Sequence, residues 1–253
     1  MIAGWRRRAQ DDSGLTLVEL IVSMMIFAVV VAGTLQLSIG LEHSTAENIS
    51  RQDQVDEGRV ATEAMTKNLR TAVIPSQLTN SCTDLCAASF VQGQAYSVQF
   101  YANVNNAGNQ VGPSRVSYTL STSGSTAGQL TEKIQVPDTN VAGSSGYVYC
   151  DAEASGATPE CKARLRTMII ARGVRSDTGV PIFQYYDTDG NILTPRAANN
   201  ALSADDLAKV FAIEITLTTA SVHVTKAGST TYIQRVTLPN SNAVMRSDKD
   251  KDE

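Results

Sequence analysis

The sequence is poor in the residues that most enzymes use for catalysis. Its 253 residues include two histidines, one tryptophan and four cysteines, and aromatic residues make up 6% of the chain. Neither His43 nor His223 lies near a cysteine or a serine in a catalytic arrangement, and no G-x-S-x-G, H-E-x-x-H or glycine-rich phosphate loop is present. We therefore predict that the chain is not an enzyme and that it needs no cofactor.

Clustered positive charge is also scarce. The chain has 21 Lys and Arg residues against 25 Asp and Glu residues, which gives a formal net charge of −4. Its dense basic cluster is the run Arg6–Arg8 near the N-terminus. Because proteins grip nucleic-acid phosphates with clustered Lys and Arg, this balance argues against a nucleic acid as the main partner.

The cysteines fall into two local pairs, Cys82 with Cys86 and Cys150 with Cys161. Four cysteines allow three pairings, and the local one is favoured because short loops close easily. A zinc site is the competing interpretation, but the C-x3-C and C-x10-C spacings lack a nearby His, and free thiols are the third. Disulfides require an oxidising compartment, so this prediction depends on the second half of the chain lying outside the cytoplasm.

Charge is nearly absent between Leu15 and Leu41, where Glu19 is the one charged residue. This run of about 27 residues would form roughly 40 Å of helix, which is enough to cross a hydrocarbon core of about 30 Å. Arg6–Arg8 precede the run and Arg51 is the first cation beyond it, so the positive-inside rule places the N-terminus in the cytoplasm. A cleaved secretory signal would have a shorter apolar core, and a plain membrane anchor leaves the carboxylate unexplained.

The stretch G-L-T-L-V-E, from Gly14 to Glu19, resembles the prepilin peptidase motif of type IV pilins and pseudopilins. That motif is a Gly, a cut, a hydrophobic residue that is usually Phe, and a Glu at the fifth mature position; here Leu15 replaces the Phe. The resemblance implies cleavage between Gly14 and Leu15 by prepilin peptidase, and N-methylation of the new amine of Leu15. It also implies a filament in which Glu19 pairs with the Leu15 amine of a neighbouring subunit and sets the axial register.

No proline interrupts the chain before Pro75, so we predict one helix from Leu15 to about Val73, roughly 88 Å long. Beyond the membrane half, apolar residues recur at three- and four-residue steps and predict a buried stripe. Its members are Val60, Ala61, Ala64, Met65, Leu69, Ala72 and Val73. Gly33 and Gly58 are predicted to be local soft points.

Past Pro75, alternating apolar and polar residues predict half-buried antiparallel strands separated by loops rich in Gly, Ser and Asn. The predicted strands are 95–104, 115–120, 129–136, 168–174, 181–187, 210–222 and 231–238. We therefore expect an α+β domain with an antiparallel sheet laid on the outer half of the helix. The pilin fold that the resemblance implies has this architecture.

The stretch D-T-D-G-N resembles half of a calcium loop, with Asp187, Asp189 and Asn191 as candidate oxygen ligands. The further acid before the Gly and the distal Glu of such loops are missing. Because Asp-Gly beside strands is a strong hairpin signal, a turn is the favoured interpretation and calcium the weaker one.

These features predict five segments. They are a leader (1–14), a transmembrane and filament-core half of the helix (15–41), its outer half (42–74), a β-rich head (75–242) and a charged, disordered tail (243–253). The partners that follow are other pilins or pseudopilins, the prepilin peptidase and methyltransferase, an inner-membrane assembly platform and the lipid bilayer. The head is expected on the extracytoplasmic side of the membrane or in an extracellular filament.

Three looser stretches, at 61–73, 181–194 and 235–240, are similar to J-type minor pseudopilins and their pilus counterparts. Major pilins often carry a helix-breaking Pro in the apolar half, which is absent here, and the K-type tip pseudopilin typically lacks the Glu found at Glu19. The resemblance thus implies a minor subunit of a type IV pilus or of a type II secretion or competence pseudopilus. A membrane-tethered extracytoplasmic binding protein that does not polymerise is the alternative, and a secreted hydrolase with no visible site is the third.

Overall fold

The computed structural model describes residues 16–78, 88–143, 146–176, 179–197, 199–220 and 228–240. The predicted leader and tail lie outside these residues, as do Leu15, Cys82, Cys86 and His223. The chain divides into two compact units, Met1–Asn48 and Ile49–Glu253.

One long helix, α1, runs from Leu17 to Arg70. Thr16 caps its start, because the Glu19 N–H donates to Thr16 Oγ1 at 3.3 Å and the Leu20 N–H donates to the Thr16 carbonyl at 3.1 Å. A threonine at this position satisfies backbone donors that the first turn leaves unpaired.

The helix ends at Arg70 rather than near Val73 because the chain beyond Arg70 pairs with a strand, β2 (Ser97–Ala102). The Val73 N–H donates to the Tyr101 carbonyl at 2.9 Å, and the Asn103 N–H donates to the Thr71 carbonyl at 2.9 Å. Strand pairing therefore ends the helix before the proline that was expected to end it.

Within the described residues, the strands form two antiparallel sheets rather than the single sheet predicted. The first has the order β1-β2-β3-β4-β5 and the second has the order β7-β6-β8-β9. The remaining strands of the first sheet are β1 (Phe90–Gly93), β3 (Ser114–Leu120), β4 (Leu130–Gln135) and β5 (Leu165–Ala171). Those of the second are β6 (Phe183–Tyr186), β7 (Ile192–Leu193), β8 (Ala212–Thr219) and β9 (Thr230–Thr237). The α+β class is confirmed.

Within the part of the chain that the structure describes, the sequence analysis missed two strands and two α-helices, and each is short. Strands β1 and β7 offer too few residues for an alternation to show. The helices α2 (Pro159–Ala163) and α3 (Ala204–Leu207) begin at capping hydroxyls: Thr158 Oγ1 accepts from the Cys161 N–H and Ser203 Oγ accepts from the Asp206 N–H, each at 3.2 Å. These caps are the signal that could have revealed the two helices.

The two sheets and the outer part of α1 share one apolar core. The chain after β5 joins β8, since the Arg175 N–H donates to the Thr218 carbonyl at 2.8 Å. The alternation predicted along β2 holds, with Val98 and Phe100 both fully buried. Other large side chains that are fully buried include Met65, Leu69, Tyr118, Phe183, Tyr185, Ile213, Ile215 and Leu217.

The buried face of α1 differs in part from the predicted stripe. Val60 is 62% exposed, while Ala61, Met65 and Leu69 are fully buried. The buried residues of α1 are Gln54, Gly58, Ala61, Thr62, Met65 and Leu69. Because successive residues point about 100° apart around a helix, Val60 faces away from the row that contains Ala61. Polar Gln54 and Thr62 occupy places in that row, which apolar periodicity could not show.

The prediction that Gly58 is a soft point is wrong, because this glycine is a close-packing site. A Cβ at Gly58 would lie 2.5 Å from Cε2 of Tyr232 on β9. The Tyr232 hydroxyl donates to the Val55 carbonyl at 2.8 Å, which holds the ring against the helix. Glycine here permits the strand and the helix to approach closely.

One carboxylate lies in the head core. Glu132 is 4% exposed. Its Oε2 accepts from the Tyr118 hydroxyl at 2.8 Å and from Asn68 Nδ2 at 3.0 Å, and its Oε1 lies 3.5 Å from Arg166 Nη2. Burial, followed by the nearby Glu132 charge, raises the pKa of Tyr118 above its usual value. These contacts join α1 to β3, β4 and β5 through a hydrogen-bonded polar group in the core.

Candidate functional site

The first half of α1 carries large apolar side chains that the described chain does not bury. All residues from 16 to 48 are exposed. Within the described residues, α1 is the one helix long and apolar enough to cross a membrane. Soluble proteins rarely expose contiguous apolar surface on this scale, so lipid or another protein must cover it. The structure therefore fits a single-pass membrane-anchored protein.

Three hydroxyl groups in this unit donate hydrogen bonds to carbonyl groups of their own helix. Ser23 Oγ donates to the Glu19 carbonyl at 2.6 Å, Thr34 Oγ1 donates to the Val31 carbonyl at 2.9 Å, and Thr45 Oγ1 donates to the Leu41 carbonyl at 2.8 Å. A polar group without a partner is costly in hydrocarbon, so these internal bonds suit the segment to an apolar environment.

Glu19 differs from these residues, because its charge is not neutralised within the described chain. It lies in the first turn of α1 and its side chain is exposed. Its backbone N–H is capped by Thr16, yet its carboxylate makes no hydrogen bond or ion pair with any described residue. The positive end of the helix dipole favours an acid at this place, but that partial charge falls short of a full counter-ion. Glu19 can therefore accept a cationic partner from another molecule.

The predicted pairing of Cys150 with Cys161 is confirmed. The two residues form a disulfide, with their Cα atoms 6.0 Å apart and a sequence separation of 11. The zinc and free-thiol alternatives are thereby excluded for this pair. The pairing of Cys82 with Cys86 concerns residues outside the described ones and stays a prediction.

The D-T-D-G-N stretch forms the turn between β6 and β7. The Asp187 carboxylate accepts from the Asn191 N–H at 2.8 Å, the Asp189 N–H at 3.0 Å and Asn191 Nδ2 at 3.0 Å. The hydrogen bond from the Asn191 side chain is the largest cause that lowers the pKa of Asp187, and the backbone N–H donors lower it further. Gly190 has a φ of +83°, which glycine adopts readily. The described residues hold no group of three or more His, Cys, Asp or Glu suited to a metal, and the weaker calcium interpretation stays untested.

The N-terminal segment also matches a known family model, described as the prokaryotic N-terminal methylation motif, over residues 10–35. Searches against curated proteins and against solved structures find no match. The matched residues include Gly14, Leu15 and Glu19, and they continue into the exposed apolar half of α1. Proteins that carry this motif are structural rather than enzymatic. The motif supports a type IV pilin-like family and indicates that this chain is a precursor of the pilin or pseudopilin type.

Proposed function

We propose that the protein is a minor pilin or pseudopilin, a structural subunit of a type IV pilus or of a type II secretion or competence pseudopilus. Prepilin peptidase cleaves it between Gly14 and Leu15, the new amine of Leu15 is methylated, and an inner-membrane platform assembles it with other pilins. The methylation motif at residues 10–35, followed by an apolar helix that the described chain leaves uncovered, carries this proposal.

The apolar half of α1 has two environments in this account. It lies first in the lipid bilayer and then in a filament core beside the same segment of other subunits. A charge in such surroundings is costly, and pairing recovers that cost only when both charges meet. The Glu19 carboxylate meets the Leu15 amine of a neighbour at one axial stagger. The pair therefore acts as a device that sets the register.

The same reasoning assigns the five segments. The leader (1–14) is removed, 15–41 forms the membrane and filament-core segment, 42–74 is the outer half of the helix, 75–242 is the head, and 243–253 is a charged tail. Arg6–Arg8 favour a cytoplasmic N-terminus by the positive-inside rule. The Cys150–Cys161 disulfide supports an oxidising, extracytoplasmic compartment for the head.

Two features support a minor subunit. The helix from Leu17 to Arg70 contains no proline, whereas major pilins often carry one in the apolar half. Glu19 is present, whereas the K-type tip subunit typically lacks an acid at that position. Together with the looser similarity to J-type pseudopilins, these features favour a J-type or pilus-priming role.

The processing step is tested by Gly14→Val in a host that expresses prepilin peptidase. We expect this variant to keep its leader, because the peptidase requires the glycine before the cut. Gly33→Val is the matched control, since open space surrounds Gly33, and it should be processed like the wild type. A Gly14→Val protein with the same mature mass as the wild type would contradict the proposal. A wild-type chain that stays in the membrane uncleaved and unassembled would instead favour the tethered binding protein.

A further inference from the structure

The outer face of the five-stranded sheet carries a polar cleft that the proposed function does not use. The cleft has a volume of about 460 Å³ and lies on the face opposite the core residues Phe100 and Tyr118. Strands β2, β3 and β4 form its floor, and residues 149–153 form one wall. The floor side chains are Ser97, Gln99, Arg115, Ser117, Thr119 and Lys133.

The wall of the cleft is fixed in place by three attachments. The Cys150–Cys161 disulfide closes its segment. Gln135 Nε2 donates to the Cys150 carbonyl at 2.6 Å, and the Tyr149 hydroxyl donates to the Pro113 carbonyl at 2.5 Å. A wall held in this way exists before any ligand arrives, so binding requires little ordering of the chain.

The cations of the cleft already have partners. Arg115 Nη2 donates to Gln135 Oε1 at 2.7 Å, and its Cζ lies 4.8 Å from the centre of the Tyr149 ring. Lys133 Nζ lies 2.6 Å from a carboxylate oxygen of Glu153. Anion sites have an excess of charged donors, whereas Asp151 and Glu153 balance Arg115 and Lys133 among the residues that line the cleft. This charge balance favours an uncharged ligand over a phosphate or a carboxylate.

The centre of the floor offers neutral hydrogen-bonding groups. Gln99 and Ser117 are direct partners across β2 and β3, and within the described residues neither side chain forms a hydrogen bond. The next pair on the same face, Ser97 and Thr119, is joined at 3.0 Å between hydroxyl oxygens. Amide and hydroxyl groups both donate and accept, as do the hydroxyl and acetamido groups of sugars.

We propose that this cleft binds an uncharged oligosaccharide, with Gln99 and Ser117 as its central contacts. The binding adds an activity to the head that does not depend on cleavage after Gly14. Tyr149, the aromatic residue that lines the cleft, already contacts Arg115 and Tyr101, whose ring centre lies 5.9 Å away. We therefore expect a weak dissociation constant, on the order of 1 mM.

The test is a titration in which oligosaccharide probes are mixed with the full-length protein in a zwitterionic detergent without a sugar headgroup. Ligand-observed NMR measures the binding of each probe. The probes are chitotetraose and maltotetraose, which are uncharged, and tetragalacturonate, which is anionic. We expect at least one uncharged probe to bind and tetragalacturonate to bind more weakly. Failure of both uncharged probes to bind overturns the proposal, as does tighter binding of the anion.

Variants locate the site. Gln99→Ala and Ser117→Ala should each weaken binding about 3- to 10-fold, the loss of one neutral hydrogen bond. Thr131→Ala is the matched control, because Thr131 lies on the same face of β4 but does not line the cleft. Unchanged affinity in both cleft variants, with melting temperatures equal to that of the wild type, overturns the assignment to this cleft.

Discussion

Glu19 lies in an apolar stretch of the sequence and Glu132 is buried in the head, and the two acids differ in whether the chain itself supplies their partners. Glu132 is buried in the head and receives donors from Tyr118 and Asn68, with Arg166 nearby. Glu19 is exposed on an apolar helix and has no partner in the described chain. The head supplies its own partners, so its acid is part of the fold. The described part of the first unit supplies no such partner, which fits the proposed pairing of this acid with another subunit.

The apolar side chains show the same difference. Leu17 is 75% exposed and Leu69 is fully buried, although both belong to α1. Helix propensity is equal at the two places, so it does not decide burial. What differs is the presence of sheets from the same chain to cover the surface. We infer that the apolar surface of the first unit is covered by other molecules, whereas the apolar surface of the head is covered by its own sheets.

The substitution Glu19→Ala should have the largest effect, and it tests whether this acid is needed for assembly. We expect the variant to insert into the membrane and yet to lose most of its incorporation into filaments, because the register pair is gone. Glu47→Ala, which removes an exposed acid farther along the same helix, is the control and should assemble normally. Membrane fractionation and filament shearing measure the two steps. Normal assembly of Glu19→Ala would contradict the proposal that this acid sets the register.

Alkaline pH should have the next largest effect, because it should unfold the head but not the helix of the first unit. Burial raises the pKa values of Tyr118, Tyr149 and Tyr185 above the usual value of 10.0. The stability that comes from keeping these tyrosines protonated is fully present below pH 10 and is lost as the pH rises above it. We expect the head to unfold above about pH 10, while the first unit, which has no tyrosine, keeps its helix in detergent. Circular dichroism with tyrosinate absorbance reports both. A head that ionises all its tyrosines without unfolding would contradict this.

Glu132→Ala tests whether the buried acid is structural. The change leaves the Tyr118 hydroxyl and the Asn68 amide without their shared acceptor, and we expect the free energy of unfolding to fall by about 2–4 kcal/mol. Glu132→Gln keeps a carbonyl oxygen that can accept, so its loss should be smaller. Denaturant unfolding measures both, and cleavage after Gly14 should be unchanged in each. An equal loss in the two variants would argue against the hydrogen bonds as the cause.

Two glycines of α1 give the smallest and most local test. Gly58→Ala places a Cβ against the Tyr232 ring and should destabilise the head by about 1–3 kcal/mol. Gly40→Ala meets open space and should stabilise its helix by roughly 0.5–1 kcal/mol. Thermal melts of the two variants compare the regions directly. A Gly58→Ala head as stable as the wild type would mean that Tyr232 moves aside freely.

Long and strongly patterned features could be predicted from the sequence. The run after Thr16 has no proline before Pro75 and one charge before Glu42, which is enough to predict a long helix. The alternation of Val98 and Phe100 predicts β2. The spacing of Cys150 and Cys161 favoured the bond that the structure contains. Each of these signals is local, so no knowledge of the remaining chain is needed.

Features that depend on distant partners could not be predicted. Glu132 stands in the polar-looking stretch T-E-K, and only its contacts with α1 and β3 explain its burial. Gln54 and Gly58 lie on the buried face because strands far along the chain pack there. The division into two sheets likewise depends on register between remote segments. At the candidate site, the sequence indicated Glu19, but a partner supplied by another subunit cannot be seen in one chain.

The most direct test of the central claim is an intact-mass measurement of the mature protein isolated from membranes of a host with prepilin peptidase. We expect a chain that begins at Leu15 and carries one added methyl group. A chain that still begins at Met1, or one that begins near Thr34 as a signal-peptidase product would, contradicts it.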